Sequence, residues 1–253
     1  VVSIAASSTA CRIKSQAITT HLTAVQRLSN TSIAFTLRAP SGLAFLPGQY
    51  ANVTVPGTEE LRSYSFSSIP GSNVVSFLVR DIPRGVMSSF LRDKAAAGMP
   101  VALAGPSGSF YLRDITRPIL FLAGGTGLAP FLSMLGKIAE TGPCAHPIHL
   151  IYGVTNDEDL VAVDQLEAFA ACIPNFTFDC CVAAETSAYP RKGYVTAHIQ
   201  SAHLHAGNVD IYLCGPPPMV EAVRAWLDQQ GVRPASFHYE KFAPSGVALK
   251  KAA

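Results

Sequence analysis

From Ile33 to Arg38 large apolar side chains alternate with small or polar ones, Ile33, Phe35 and Leu37 against Ala34, Thr36 and Arg38. The same period of two runs through Ala51, Val53 and Val55 against Tyr50, Asn52 and Thr54. Such alternation, punctuated by Pro-Gly pairs at 47–48, 56–57 and 70–71, predicts antiparallel strands joined by turns. Further strands are predicted at Ser63–Ser67, Val74–Arg80 and Val101–Ala104. Six or so strands with few helices make a small closed barrel.

The rhythm changes near residue 115. Continuous apolar runs at Ile119–Ala123, Ile148–Tyr152, Phe176–Val182 and Asp210–Cys214 read as strands buried on both faces. Between them lie helical spacings: Phe131, Leu135, Ile138; then Leu160, Val163, Leu166, Phe169; then Val220, Val223, Leu227, stopped by Gly231. A fifth strand is predicted at Ser236–Glu240. The expectation is an α+β chain of two domains: an antiparallel six-stranded β-barrel over residues 16–114, then a doubly wound parallel α/β domain over 115–253. In such a sheet ligands sit at the carboxyl ends of the strands, so a shared site is expected at the seam.

Composition narrows the partners. The 253 residues are 49% hydrophobic but only 14% charged, with a net charge of +2 and no Lys/Arg run longer than two. Neither a nucleic-acid footprint nor a polybasic membrane patch is present. No stretch approaches the roughly 18 uninterrupted apolar residues of a spanning helix. Val1–Ala10 has no basic start, so a cytoplasmic protein is expected. A first residue of Val reads as a processed product or a fragment. The six cysteines form no C-x2-C pair and no C-x4-C-x2-C run, which leaves zinc and iron–sulfur ligation unsupported and no metal site expected.

Three motifs carry chemistry. Gly124, Gly125, Thr126, Gly127, Leu128, Ala129 and Pro130 follow a predicted strand and precede a helix; glycines admit close approach, and the first helical turn favours a phosphate. Pro130 breaks the Rossmann fingerprint, and a plain chain-reversing turn is the alternative. Cys214, Gly215, Pro216, Pro217, Pro218 and Met219 stand at a strand tip facing the same crevice, where Gly215 leaves room for a flat ring; a buried thiol before a Pro-capped helix is the other reading. In the barrel half, Arg62 and Tyr64 share one strand face and Ser63 and Ser65 the other. Arg offers a fork to a phosphate, Tyr a surface for a ring, and Ser a small hydroxyl; an ordinary exposed Arg and Tyr fit as well.

Taken in order, Arg62-x-Tyr64-Ser65, Gly85-x-Met87-Ser88, the Gly124–Pro130 loop, Cys214 to Met219 and Glu240-Lys241-Phe242 resemble the ferredoxin–NADP reductase superfamily over about residues 16 to 242. Val154–Leu160 and Arg191–Val195 more narrowly resemble the reductase components of bacterial benzoate and anthranilate dioxygenases. The resemblance implies an FAD-binding barrel and an NAD(P)H-binding α/β domain. It implies that Arg62 holds the FAD pyrophosphate, that Tyr64 packs on the flavin or ribityl, and that Ser65 bonds near flavin N5. Phe77, Leu78, Val79 and Arg80 run beneath the flavin, while Gly85, Met87 and Ser88 supply donors to the diphosphate. Thr126 sits where the rings meet, Gly125 and Gly127 border the pyridine nucleotide, and Gly215, Pro216 and Met219 belong to the same wall. Cys214 stands by the nicotinamide without acting as a covalent nucleophile, and Glu240 and Phe242 close the flavin's other side. The catalytic set is then Ser65, Thr126, Cys214 and Glu240. Relatives of this kind carry a [2Fe–2S] domain upstream; Val1–Ser15 resembles the linker after it.

Electron counting gives the expected reaction. A nicotinamide gives two electrons at once, iron–sulfur centres accept one, and a flavin bridges them. The expectation is a reductase that moves hydride from NADH to FAD and single electrons to an oxygenase component or ferredoxin of an aromatic-ring dioxygenase. Alternatives are a reductase for a monooxygenase, a globin or free flavin, and a flavin-binding regulatory module without turnover. NADH over NADPH is read from Asn156, Asp157, Glu158 and Asp159, whose carboxylates suit free ribose hydroxyls; an acidic first helical turn is the alternative. His198, His203 and His205 read as a surface segment and Lys250-Lys251 as a solvated tail.

Overall fold

The computed structural model describes residues 16–39 and 43–242. The linker reading of 1–15, Cys11 and the Lys250-Lys251 tail lie outside the described residues.

Six strands form the first sheet: β1 (Gln16–Arg27), β2 (Ser32–Arg38), β3 (Tyr50–Thr54), β4 (Leu61–Ser65), β5 (Val74–Arg80) and β6 (Pro100–Ser107). A helix, α1 (Val86–Asp93), lies between the last two. The order is β4-β3-β6-β1-β2-β5, every neighbour antiparallel. Alternation puts Ile33, Phe35, Leu37, Ala51 and Val53 inward as expected, around stacked rings of Phe45 and Phe66 at 4.0 Å and of Phe35 and Phe77 at 5.0 Å. The two end strands, β4 and β5, meet through a single bridge, Phe66 to Phe77, with Ser67 N–H on the Ser76 carbonyl at 2.8 Å. Beyond it they are unpaired, so the barrel closes at one end only.

The predicted strand Ser63–Ser67 is displaced. Pairing with β3 begins at Thr54 opposite Leu61 and ends at Tyr50 opposite Ser65; Phe66 then turns into the core. The helix α1 was not expected; it follows Arg84, held at φ +62.

The second sheet is β7 (Ile119–Gly124), β8 (Ile148–Val154), β9 (Phe176–Val182), β10 (Asp210–Gly215) and β11 (Ser236–Lys241), all parallel, in the order β11-β10-β7-β8-β9. Helices α2 (Ala129–Thr141) and α3 (Val163–Cys172) cover one face; α4 (Ser201–Leu204) and α5 (Pro217–Gln229) cover the other. The expected helix from Leu160 starts later because Ala162 takes a left-handed φ of 56° and breaks the run.

The sheets share a boundary. On β5, Phe77 and Val79 point into the barrel, whereas Leu78 belongs to the core of the parallel domain, with Leu28 and Ala34 packed against it. At Gly48, φ +106, an added Cβ would run into Met134 of α2 and lie 2.8 Å from the Phe110 carbonyl. Among the described residues no helix is long and apolar enough to cross a membrane.

Candidate active site

Where β4 and β5 part, the barrel leaves two strand edges without partners. On β4, Tyr64 is half-buried with its ring edge-on to Phe35 at 5.9 Å, and burial pushes its phenol up, so it stays neutral. Arg62 is ion-paired with Glu60 and donates to the Leu61 carbonyl at 2.9 Å. On β5 the side chains of Phe77 and Val79 are inside the barrel; Leu78 is covered by the parallel domain, and Ser76, Arg80 and the backbone are left on the outward face. At the turn beyond, Gly85 is the N-cap of α1 and no side chain caps the helix. Ser88 Oγ is buried, donating to the Ile82 carbonyl at 3.0 Å and accepting from Ile82 N–H at 3.2 Å. Its hydroxyl is engaged within the turn, and Met87 is buried, so what this turn offers a ligand is its backbone N–H groups.

The glycine loop is a 3-10 turn, Gly125–Leu128, at the carboxyl end of β7, and Pro130 stands in the first turn of α2. Gly125 has φ +55 with open space where a Cβ would be; Thr126 is half-buried beside it. Gly127 lies so close to Cys214 that a Cβ there would collide with its carbonyl oxygen. Gly124 and Gly215, at adjacent strand ends, touch back to back under the Met219 sulfur, which a Cβ on Gly215 would meet at 2.7 Å. The space expected at Gly215 for a flat ring is thus filled by Met219 and Gly124. Pro216 caps α5, and Phe242 N–H donates to the Gly215 carbonyl at 2.9 Å.

Parallel pairing of β10 with β11 sets Cys214 beside Glu240. Cys214 is fully buried; burial first, then the neighbouring carboxylate, pushes its thiol well above the ordinary value. Glu240 is pushed up to about 7 by burial, against a smaller opposing effect of the Ser65 hydroxyl, which donates to it at 3.2 Å. The bond crosses the domain boundary. Tyr50, which the sequence reading did not single out, pairs with Ser65, and a Cβ on Gly108 would touch both its ring at 2.9 Å and, at 3.8 Å, Glu240 Oε1. Its position on the polar phase of a strand just after Pro47-Gly48 was the available signal.

The acidic run after β8 is built differently from the expectation. Asp159 Oδ2 accepts from Asn156 N–H at 3.0 Å in a capping box and Oδ1 accepts from Thr31 of the barrel; Asp157 accepts from Ser187 Oγ and, at 3.3 Å, from Ala188 N–H. Two of the three carboxylates therefore hold turns together; Asp157 and Glu158 are both exposed, and Glu158 is the one without such a bond. His203, expected on the surface, stacks on His149 at 4.0 Å.

This donor set fits two nucleotide cofactors. The unpaired edges, an uncapped helix start and Arg62 suit a flavin and its diphosphate; the open Gly125 beside the half-buried Thr126 suits a nicotinamide ring.

Comparison agrees. The oxidoreductase FAD-binding domain family matches residues 19–111 and the oxidoreductase NAD-binding domain family residues 121–225. The toluate 1,2-dioxygenase electron transfer component of Pseudomonas putida is 56% identical over 97% of this chain and 73% of its own length. The 2-halobenzoate 1,2-dioxygenase electron transfer component of Burkholderia cepacia is 49% identical over the same shares. Among solved structures, a cytochrome P450 reductase from Amycolatopsis superposes with a TM-score of 0.83 at 30% identity, covering 91% of this chain and 71% of that one. With a barrel open at one edge, a parallel sheet bearing a glycine loop, and relatives this similar over nearly its whole length, the chain belongs to the family of FAD- and NAD-binding oxidoreductases that serve as electron transfer components of 1,2-dioxygenases.

Proposed function

We propose that the protein takes hydride from NADH onto FAD and passes single electrons to an iron–sulfur acceptor, an oxygenase component or ferredoxin, of a dioxygenase acting on an aromatic carboxylate, the chemical class named in its relatives. Bound FAD supplies the step from a two-electron donor to one-electron acceptors. Arg62 and the N–H groups of Val86, Met87 and Ser88 hold the diphosphate, while the Gly85 N–H is spent on the Ile82 carbonyl at 2.9 Å, and Tyr64 flanks the ring system. Gly125, Thr126 and Gly127 border the nicotinamide at the carboxyl end of β7, above the enclosed Cys214, whose thiol stays protonated and keeps charge out of the crevice floor. Ser65 and Glu240 hold a proton where the two rings meet. Phe242 closes the far side. The observation that carries the reading is the convergence of Ser65, from the barrel, with Glu240 and Cys214, from the parallel sheet.

The experiment is direct. Purified protein is expected to be yellow and to lose its flavin absorbance in a stopped-flow mixing with NADH, then to reduce ferricyanide. A protein that takes up no FAD, or whose flavin NADH does not bleach, overturns the proposal.

A further inference from the structure

The tip of the β1–β2 hairpin reaches across to the other domain. Thr31 Oγ1 donates to Asp159 Oδ1, and Leu28, at the same tip, packs against the core of the parallel domain. The far side of this contact is tied down on the nucleotide side: Asp159 also caps its own turn, and its carbonyl accepts the Tyr152 hydroxyl from inside the sheet at 3.2 Å. The near side is equally fixed. Asp81, just past β5, donates its N–H to the Thr31 carbonyl at 2.7 Å. The Asp81 carboxylate, nearly buried, is held by Arg27 at 2.8 Å and by Arg92 of α1 at 2.7 Å. Arg27 in turn donates to the carbonyls of Ser29 and Asn30 at 3.1 and 3.2 Å. Charge-assisted bonds of this kind make the hairpin tip a stiff strut. One continuous set of polar contacts therefore runs from α1, through Asp81 and the hairpin, to the turn after β8.

We propose that this hairpin tip is an interdomain latch and that Thr31 and Asp159 are positioning residues for the reaction. Domains joined by a modest interface move relative to each other by default, and an ångström of misplacement between reacting groups is costly. The latch sits on both nucleotide-binding halves without touching the ring-bearing residues Ser65, Cys214 and Glu240. Its role is to hold the angle between the halves at which the two rings stack. The inference rests on the flavin–nicotinamide reading above.

The test compares Thr31→Val, which keeps the shape and removes the donor, with Thr31→Ser, which keeps the hydroxyl. In FAD-loaded Thr31→Val, the limiting rate of flavin reduction at saturating NADH is expected to fall about tenfold, with less than a twofold change in NADH affinity and full FAD content. Thr31→Ser is expected to retain the wild-type rate. Amide hydrogen exchange, which needs no turnover, is expected to quicken in Thr31→Val both at residues 28–32 and at 156–160. An unchanged limiting rate, loss of FAD in step with the rate, or exchange that quickens on the hairpin alone overturns the latch. If the wild-type flavin is not bleached by NADH, the functional reading fails on its own, and the exchange result still decides the latch.

Discussion

The Ser65 hydroxyl of the barrel donates to the Glu240 carboxylate of the parallel sheet's edge strand at 3.2 Å. Glu240 is there because β11 pairs in register with β10, and burial next to Cys214 raises its carboxyl to about 7. The folded protein thus keeps a proton on Glu240 that the unfolded chain releases above the ordinary carboxyl value of 4.5. Between those two values the folded state loses stability as pH rises, the reverse of a salt-bridged carboxylate. Glu240→Gln removes this dependence. Its stability relative to wild type is expected to increase by about 3 kcal/mol between pH 4 and pH 8, read from urea unfolding at both ends. A difference that stays flat with pH shows a Glu240 carboxyl that titrates in the ordinary range.

Cysteine reactivity should divide along burial. The thiols of Cys180 and Cys181 are pushed up to about 11 and about 12 by burial, and Cys214 is also raised and fully enclosed, whereas Cys172 is exposed. Iodoacetamide at pH 8 is expected to label Cys172 at least about 100-fold faster than these three, since only an accessible thiolate reacts. Peptide mass spectrometry over time reads the order. Early labelling of Cys214 would mean that the crevice floor is open to solvent.

Much of this architecture was legible because burial writes itself into periodicity. Val74–Arg80 and Phe176–Val182 begin and end where alternation and the continuous apolar run placed them. Elements set by distant partners were not legible. The left-handed Ala162 cuts α3 short, and Arg84 precedes an eight-residue helix that no periodicity announced. At the candidate site, the ordered motifs and the resemblance they carry pointed to Ser65, Thr126, Cys214 and Glu240, of which Ser65, Cys214 and Glu240 adjoin one another, but not to what each side chain bonds. The Ser88 hydroxyl turns inward to Ile82, and Asp159 answers a threonine 128 positions away. Hydrogen-bond partners of that separation leave no local trace.

Gly127→Ala tests the contact between the glycine loop and the crevice wall. The added methyl would collide with the Cys214 carbonyl, a backbone atom that cannot rotate away. The expected cost is about 2 kcal/mol of stability, by overpacking. Gly125→Ala meets no atom but must hold φ +55, and about 1 kcal/mol is expected. Thermal unfolding of both variants checks the ranking, and a more stable Gly127→Ala contradicts the packing described.

Discrimination between nucleotides should rest on Glu158 alone, since Asp157 and Asp159 are occupied by Ser187 and Thr31. Replacing it with a cation turns repulsion of a 2′-phosphate into attraction. Glu158→Lys is expected to raise kcat/KM for NADPH over NADH about tenfold, while Asp157→Asn mainly lowers stability by loosening the Ser187 turn. Steady-state kinetics with both nucleotides separates the two effects. An unchanged ratio in Glu158→Lys places the ribose elsewhere.

Arg62 is paired with Glu60 at the surface, their side chains 24% and 49% exposed. A pair so placed is worth at most about 1 kcal/mol, so its guanidinium is readily given up to a diphosphate, which takes a planar fork in a charge-assisted grip. Arg62→Ala is therefore expected to weaken FAD binding about tenfold to a hundredfold and to leave NADH affinity within about twofold. Glu60→Gln frees the same guanidinium from its competitor and is expected to keep or tighten FAD. Flavin release on dilution and nucleotide titration of the remaining holoprotein measure the two affinities separately. Equal losses of both cofactors in Arg62→Ala, or looser FAD in Glu60→Gln, would assign Arg62 to holding the barrel edge instead of the diphosphate.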